Sequence, residues 1–433
     1  MNGDRCRSVL RCGEAASKTH PRFGQTINSK NFSTATLKWP ATQNAARGRS
    51  VPSEPSPAGS TADPLLRLNK PNRLFTTAGI RQTATARADQ RAFFEEFDTF
   101  MPTPAISVVM SVFNGERFLA PAIESVLAQD FADFEFFILD DGSWDGSTRI
   151  IRRYAEADSR IRPILRENRG LIASLNEMIE LSRAPIIARM DADDICRPDR
   201  FGKQIGFLAG HPDYGVVGSW SEDIDENGDK LFRTGPDHPE THEELLTAIE
   251  CGGQLICHPA AMYRKAVVES VGRYHAAFQH CEDFDLWLRL SSVTRLGNIP
   301  ERLLRYRRYS TQVSSRHATE QQIGTAVAQA AWRERKAGRA DPTADLDRLP
   351  SIEELDHLFQ RPGIARKVRE QVVLSLLYSA SALRGEGFDL LIRHLRDGGR
   401  RSGMWRTVAR LVRFGEPGRA LRLAATLTTS TSP

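Results

Sequence analysis

Three carboxylates crowd the segment Arg189-Met190-Asp191-Ala192-Asp193-Asp194, which ends an apolar run starting at Ala184-Pro185-Ile186-Ile187-Ala188. A strand that buries Ile186, Ile187 and Met190 exposes this cluster at its carboxyl end, where open α/β sheets bind their ligands. Oxygen ligands in that setting suit a hard divalent cation, Mn²⁺ or Mg²⁺. Such an ion takes few protein carboxylates and fills its remaining positions with water and phosphate oxygens. An Asp-x-Asp there can clasp a nucleotide diphosphate. The competing reading is a turn whose Asp residues cap the helix opened by Pro198-Asp199-Arg200.

A second acidic group stands in Cys281-Glu282-Asp283-Phe284-Asp285-Leu286-Trp287-Leu288. Phe284, Trp287 and Leu288 recur at helical spacing, which buries one face and leaves Glu282, Asp283 and Asp285 in the first turn. Acids in a first turn also complement the helix dipole, so capping competes with chemistry here too.

The elements that position these groups alternate. Ala105 to Val112 is a nearly continuous apolar run of the buried parallel-strand type, Asn114-Gly115 turns the chain, and Arg117 to Gln129 reads as helix. Strands follow at Phe134 to Leu139, Ile161 to Leu165 and Ile186 to Met190. Helices follow at Ile150 to Tyr154, Leu171 to Leu181 and Phe201 to Leu208. This alternation predicts an α/β fold with a doubly wound, mostly parallel sheet. Further strands are expected at Tyr214 to Trp220 and Leu255 to Tyr263, a hairpin turn at Asp225 to Asp229, and a helix at Lys265 to Val271. Beyond Arg307 the composition shifts to helix formers, with helices expected at Thr319 to Lys336, Ser351 to Phe359, Ala365 to Leu383, Asp389 to Arg396 and Met404 to Phe414.

The chain divides accordingly into a disordered N-terminal extension (1–103), an α/β domain (104–316) and a helical C-terminal region (317–433). The extension is rich in Ser, Thr, Pro and Arg and lacks apolar periodicity; its first fifty residues hold only Asp4 and Glu14 as acids. With 59 Lys and Arg against 54 Asp and Glu, the net charge of +5 is too mild to point to nucleic acid. The six cysteines form no CxxC pair and no zinc-finger spacing, which fits a reducing, cytoplasmic compartment. No apolar stretch approaches the ~18 residues of a membrane-spanning helix. The helix Met404 to Phe414 carries basic residues and no acid, so it could lie at the inner face of an anionic membrane; an exposed basic face is the alternative.

Taken together, five stretches resemble the inverting family 2 glycosyltransferases, nucleotide-diphospho-sugar transferases of the GT-A fold. They are Ser107 to Gly115, Phe137 to Ser143, Asn168-Arg169-Gly170-Leu171, Asp191-Ala192-Asp193 and Glu282-Asp283, spread over residues 104 to 316. The resemblance implies that Ser111 and Asp141 meet the nucleoside, most often a uridine, while Asn168 and Arg169 flank the donor. It puts Asp191 and Asp193 at the ribose and the metal, with Asp193 ligating Mn²⁺ or Mg²⁺. It makes Asp283 the general base, with Glu282 and Trp287 on the acceptor side. His258 stands where relatives often have Asn or His before Pro. Two departures stand out. Tyr309 occupies a position where many relatives carry His, and Gln329-Ala330-Ala331-Trp332-Arg333 reverses the last pair of the Gln-x-x-Arg-Trp motif of processive synthases. The implied activity is transfer of one sugar, UDP-linked, to a glycan or lipid-linked acceptor in surface polysaccharide assembly. A sugar nucleotidyltransferase is a weaker alternative, since no Gly-rich, Arg- and Lys-bearing triphosphate loop follows the first strand. A catalytically silent nucleotide-binding scaffold is the alternative from another class.

Overall fold

The computed structural model describes residues 102–429, apart from 233, 234, 236, 310, 311 and 313–316; all but the last two residues of the expected N-terminal extension lie outside the described residues. Eight strands form one sheet: β1 (Ile106–Val112), β2 (Phe134–Asp141), β3 (Ile161–Arg166), β4 (Ile186–Asp191), β5 (Ile195–Cys196), β6 (Tyr214–Ile224), β7 (Met262–Arg264) and β8 (Arg295–Arg307). Their spatial order is β3-β2-β1-β4-β7-β6-β8-β5. The β1–β2, β2–β3, β1–β4 and β6–β8 pairs are parallel, and the pairs made by β7 and β5 are antiparallel. The predicted α/β class with a mostly parallel sheet is thus what the chain adopts.

Strands β1, β2 and β4 read as unbroken apolar runs because both of their faces are covered. Side chains alternate between two cores, as the strand period requires. Val109, Phe137, Leu139 and Ile187 point into one, and Val108, Met110, Phe136, Ile138 and Ala188 into the other. Helices α1 (Glu116–Leu127), α2 (Ser147–Ala157) and α4 (Arg200–Gly210) pack on the second face. Helix α3 (Leu171–Leu181) covers the first face. Downstream come α5 (His242–Cys251), α6 (Lys265–Ser270) and α7 (Glu282–Leu290), the last of which joins α3 on that first face.

The C-terminal region is helical: α8 (Ala318–Lys336), α9 (Leu355–Leu358), α10 (Ile364–Leu376), α11 (Ala380–Arg384), α12 (Glu386–Arg396), α13 (Met404–Arg413) and α14 (Pro417–Thr429). Ala326, Val327, Ala331 and Trp332 of α8 share a core with Leu286, Trp287 and Leu290 of α7. Trp332 Nε1 also donates to Ser291 Oγ at 3.2 Å, so α8 braces the back of the α7 segment that bears the second acidic group.

Several expectations change. The strand foreseen from Leu255 to Tyr263 exists only as β7, because His258–Ala260 forms one 3₁₀ turn around Pro259, whose ring fixes φ and supplies no N–H to a ladder. The helix expected from Ala365 to Leu383 breaks into α10 and α11, since Ser379 leaves the helix and its hydroxyl accepts from Ala382 N. The hairpin signal at Asp225 to Asp229 makes a tight turn with a single bridge, Ile224 to Lys230. Helices α5 and α14 and strand β8 were not foreseen.

Candidate active site

Parallel register sets the first part of the site. Ser111 on β1 lies level with Leu139 on β2 and Asp191 on β4, so Ser111, Asp141 and Asp191 all stand at the carboxyl ends of adjacent strands. Asp141 is buried, and its two oxygens accept from the backbone N–H groups of Arg169 at 3.0 Å and Gly170 at 2.7 Å. The Arg166 guanidinium pairs with the same carboxylate at 2.6 Å. Gly142 makes this closure possible. It sits at φ +82°, and a Cβ there would come within 2.7 Å of Asn168 N. Asp141 is therefore the post to which the Asn168-Arg169-Gly170 loop is tied.

The acidic cluster follows at the end of β4. Donor oxygens of Asp191, Asp193 and Asp194 all lie within 4.8 Å of one another. Asp193 is held above the ordinary carboxylate range, at about 6, by burial and by the Asp191 charge. Asp194 is raised well above that range by burial and by both neighbouring acids. Its Oδ1 accepts from Arg307 N at 2.8 Å, while Oδ2 is buried with no hydrogen-bond partner among the described residues. Crowded carboxylates that resist ionisation are relieved by a cation, so these residues fit a divalent ion.

Two buried arginines hold the cluster in place. Arg200 donates to the carbonyls of Arg189 at 2.8 Å and Ala261 at 3.2 Å, locking β4 to the turn before β7. Arg189 pairs with Asp191, and its charge also favours ionisation of Asp193, Asp194, Glu282 and Asp283. From β8 and its continuation, Arg307 donates to Asp193 O at 2.8 Å and the Tyr309 hydroxyl donates to Asp193 Oδ2 at 2.8 Å.

The second acidic group opens α7. Burial and the adjacent Asp283 charge push Glu282 up to about 8, and burial also raises Asp283. Asp283 Oδ1 accepts from Phe284 N at 2.7 Å. Asp285, by contrast, is paired through Oδ2 with Arg289, whose Nε and Nη2 approach that oxygen at 2.8 and 2.7 Å. His258 proves to be a satisfied core histidine: Nε2 meets Tyr274 Oη at 2.8 Å, and burial holds its pKa well below the usual value. Trp287 is packed in the core, edge-on to His258 and Tyr263, and reaches the cleft wall only from behind.

One cleft of about 1290 Å³ gathers Ser111, Asp141, Asn168, Arg169, Asp191, Asp193, Glu282, Asp283 and Trp287, while Asp194 and Asp285 do not line it. The supporting roles of Arg189, Arg307 and Tyr309 went unforeseen. Arg189 does carry a signal, a cation set inside an otherwise apolar strand.

The chain has relatives of a known class. The family described as "Glycosyl transferase family 2" matches residues 107–272. EpsE of Bacillus subtilis (strain 168) is 36% identical over 221 residues, covering 50% of this chain and 77% of EpsE. The chain belongs to glycosyltransferase family 2. The O-antigen biosynthesis glycosyltransferase WbnJ of Escherichia coli is 32% identical over 217 residues, 48% of this chain and 83% of WbnJ. The amylovoran biosynthesis glycosyltransferase AmsE of Erwinia amylovora is 31% identical over 215 residues, 48% of this chain and 79% of AmsE. The family 2 transferase is therefore an enzyme with relatives in polysaccharide biosynthesis. Among its described residues, no helix is long and apolar enough to cross a membrane.

Proposed function

We propose that this transferase moves one sugar from a nucleotide diphosphate sugar, UDP-linked, to a glycan or lipid-linked acceptor with inversion, in surface polysaccharide assembly on the cytoplasmic side. The observation that carries the reading is that one cleft holds both acidic groups, with the buried Arg189 acting on each. In this reading residues 104–316 form the transferase domain and 317–433 its helical support, which shares the core behind α7.

Asp141 and Ser111 hold the nucleoside, and Asn168 and Arg169 flank the donor. Asp191 meets the ribose, and Asp193 would ligate Mn²⁺ or Mg²⁺, with Asp194 behind it. The bound ion would offset the charge of the departing diphosphate. On the other wall Asp283 takes the proton of the acceptor hydroxyl as that oxygen attacks the anomeric carbon. The bond from that carbon to the diphosphate oxygen breaks on the opposite face, and its electron pair leaves with the diphosphate. Glu282, held protonated near neutral pH, is suited to donate a hydrogen bond to the acceptor. Helix α13 supports contact with a membrane that carries the acceptor, since it exposes Trp405 and Val412, 57% and 58% accessible, beside Arg406 and Arg413.

The deciding experiment screens a panel of sugar nucleotides for release of UDP or GDP, with and without Mn²⁺ or Mg²⁺. Metal-dependent release from one donor is expected. Binding of UDP with no release from any donor, acceptor present, would instead make the protein a silent nucleotide-binding scaffold.

A further inference from the structure

A second group of ligating side chains stands apart from the acidic cluster. His280, in the loop before α7, stacks on His317, which precedes α8, with ring centroids 4.0 Å apart and planes inclined by 11°. His317 Nδ1 is hydrogen-bonded to Glu320 Oε2, and His280 Nε2 lies 3.6 Å from the same oxygen. One nitrogen from each ring and one carboxylate oxygen all fall within 4.8 Å of one another.

Local structure brings these groups together. His317 and Glu320 are three apart across the first turn of α8, the spacing that stacks side chains on one helix face. His280 reaches them from a backbone φ of +67°, a conformation uncommon outside glycine. Neither segment needs the contact for its core: the His280 and His317 side chains are 27% and 40% accessible, and Glu320 is 57% accessible. Two stacked imidazoles sharing one carboxylate gain little from each other, because protonating both brings like charges into contact.

We propose that His280, His317 and Glu320 form a transition-metal site, of the Zn²⁺ type, that ties the start of α8 to the loop leading into α7. Two imidazoles and a carboxylate are a known three-ligand set for zinc, and solvent at Glu320 supplies the fourth position. Hard cations are excluded by preference, since Mg²⁺ and Ca²⁺ favour all-oxygen shells. Tetrahedral bonds of about 2.0 to 2.1 Å put ligand atoms ~3.3 Å apart, so the rings need only turn out of their stack to close on one ion. The site acts on the cleft. His280 and Gln321 line its wall, and His280 is two residues before Glu282. A bound ion therefore fixes the wall beside Glu282 and Asp283. The inference does not depend on the transfer reaction.

The test uses the full chain with Asp191→Asn, Asp193→Asn and Asp194→Asn, which removes the acidic cluster, stripped of metal and titrated with Zn²⁺ against a chromophoric chelator. One equivalent is expected to bind. His280→Ala with His317→Ala should abolish it, and Glu320→Gln, on an exposed side chain that leaves the fold alone, should weaken it by about tenfold or more. Co²⁺ in place of Zn²⁺ should give tetrahedral ligand-field bands without thiolate charge transfer. Absence of saturable binding, binding that survives Glu320→Gln at full strength, or a thiolate band that reports a cysteine site would each overturn the proposal.

Discussion

The Tyr309 hydroxyl donates to Asp193 Oδ2 at 2.8 Å, and its ring packs on Phe118 with centroids 5.2 Å apart. That bond favours the ionised form of a carboxyl which burial and Asp191 hold at about 6. Phe118 also lies under the Arg307 guanidinium, 4.5 Å from the ring centroid. The tyrosine is thus fixed from behind and acts on the cluster through one oxygen.

Tyr309→Phe should therefore raise the Asp193 pKa further and make protons stronger competitors for the cation. Near pH 6 the Mn²⁺ concentration for half-maximal donor hydrolysis should rise by about tenfold, equivalent to ~1.4 kcal/mol. Near pH 8, where Asp193 is ionised in both proteins, the difference should shrink. Identical Mn²⁺ curves at the lower pH would remove Tyr309 from the cation's surroundings.

The sequence made the β1, β2 and β4 ends legible because strands covered on both faces leave long apolar runs, and the acids that close them stand out. It hid β8. Burial along Arg295–Arg307 is broken by exposed Pro300, Glu301 and Arg305, so no clean period survives. The Tyr309 contact depends on where that strand docks, against β6 and β5, about a hundred residues from Asp193 in sequence. Other losses were avoidable. Thr241 and Glu244 form a capping box that announces α5, and the four-residue spacing of Asp285 and Arg289 marks the ion pair that removes Asp285 from chemistry.

Raised carboxyl pKa values also make the cation-free protein sensitive to base. Glu282 sits at about 8, above its unfolded value, so the native state holds a proton that the unfolded chain releases. Its stabilising effect is complete below the ordinary carboxylate range and is lost as pH rises through about 8. Buried histidines such as His258 act in the opposite sense, but only below about pH 6.5. Between about pH 6.5 and 8.5, then, the melting temperature of the cation-free protein should fall more steeply for wild type than for Glu282→Gln. Parallel curves would show that Glu282 is already ionised at neutral pH.

Membrane contact is tested on the surface of α13 rather than by deleting it, because Met404 and Leu411 fill the core shared by α12 and α14. Arg406→Glu with Arg413→Glu keeps those anchors and reverses two exposed charges. Each basic residue near an anionic surface contributes ~1 kcal/mol, so partitioning onto phosphatidylglycerol vesicles at low salt should fall by about thirtyfold or more. Equal partitioning of variant and wild type would leave α13 a solvated basic face.

The general base is the sharpest assignment, because three acids open one helix and their surroundings differ. Asp285 is neutralised by Arg289 and buried beneath it. Glu282 keeps its proton near neutral pH and has none to gain. Asp283 is raised by burial, yet Arg189 and the Phe284 N–H favour its anion, so it alone combines charge, basicity and a place on the cleft. Asp283→Asn preserves shape and a capping oxygen while removing the base. Turnover should drop by ~10² to 10⁴, the usual worth of general base catalysis, with UDP affinity and melting temperature close to wild type. A purely structural Asp283 predicts the reverse: near-normal turnover for the Asn variant and a loss of ~0.5 to 2 kcal/mol in stability for Asp283→Ala. Donor hydrolysis separates the cases further. Water needs less help from a base positioned for the acceptor, so the Asn variant should lose transfer to acceptor more than slow release of UDP to water. Equal loss of both reactions would point to a collapsed cleft instead of a missing base.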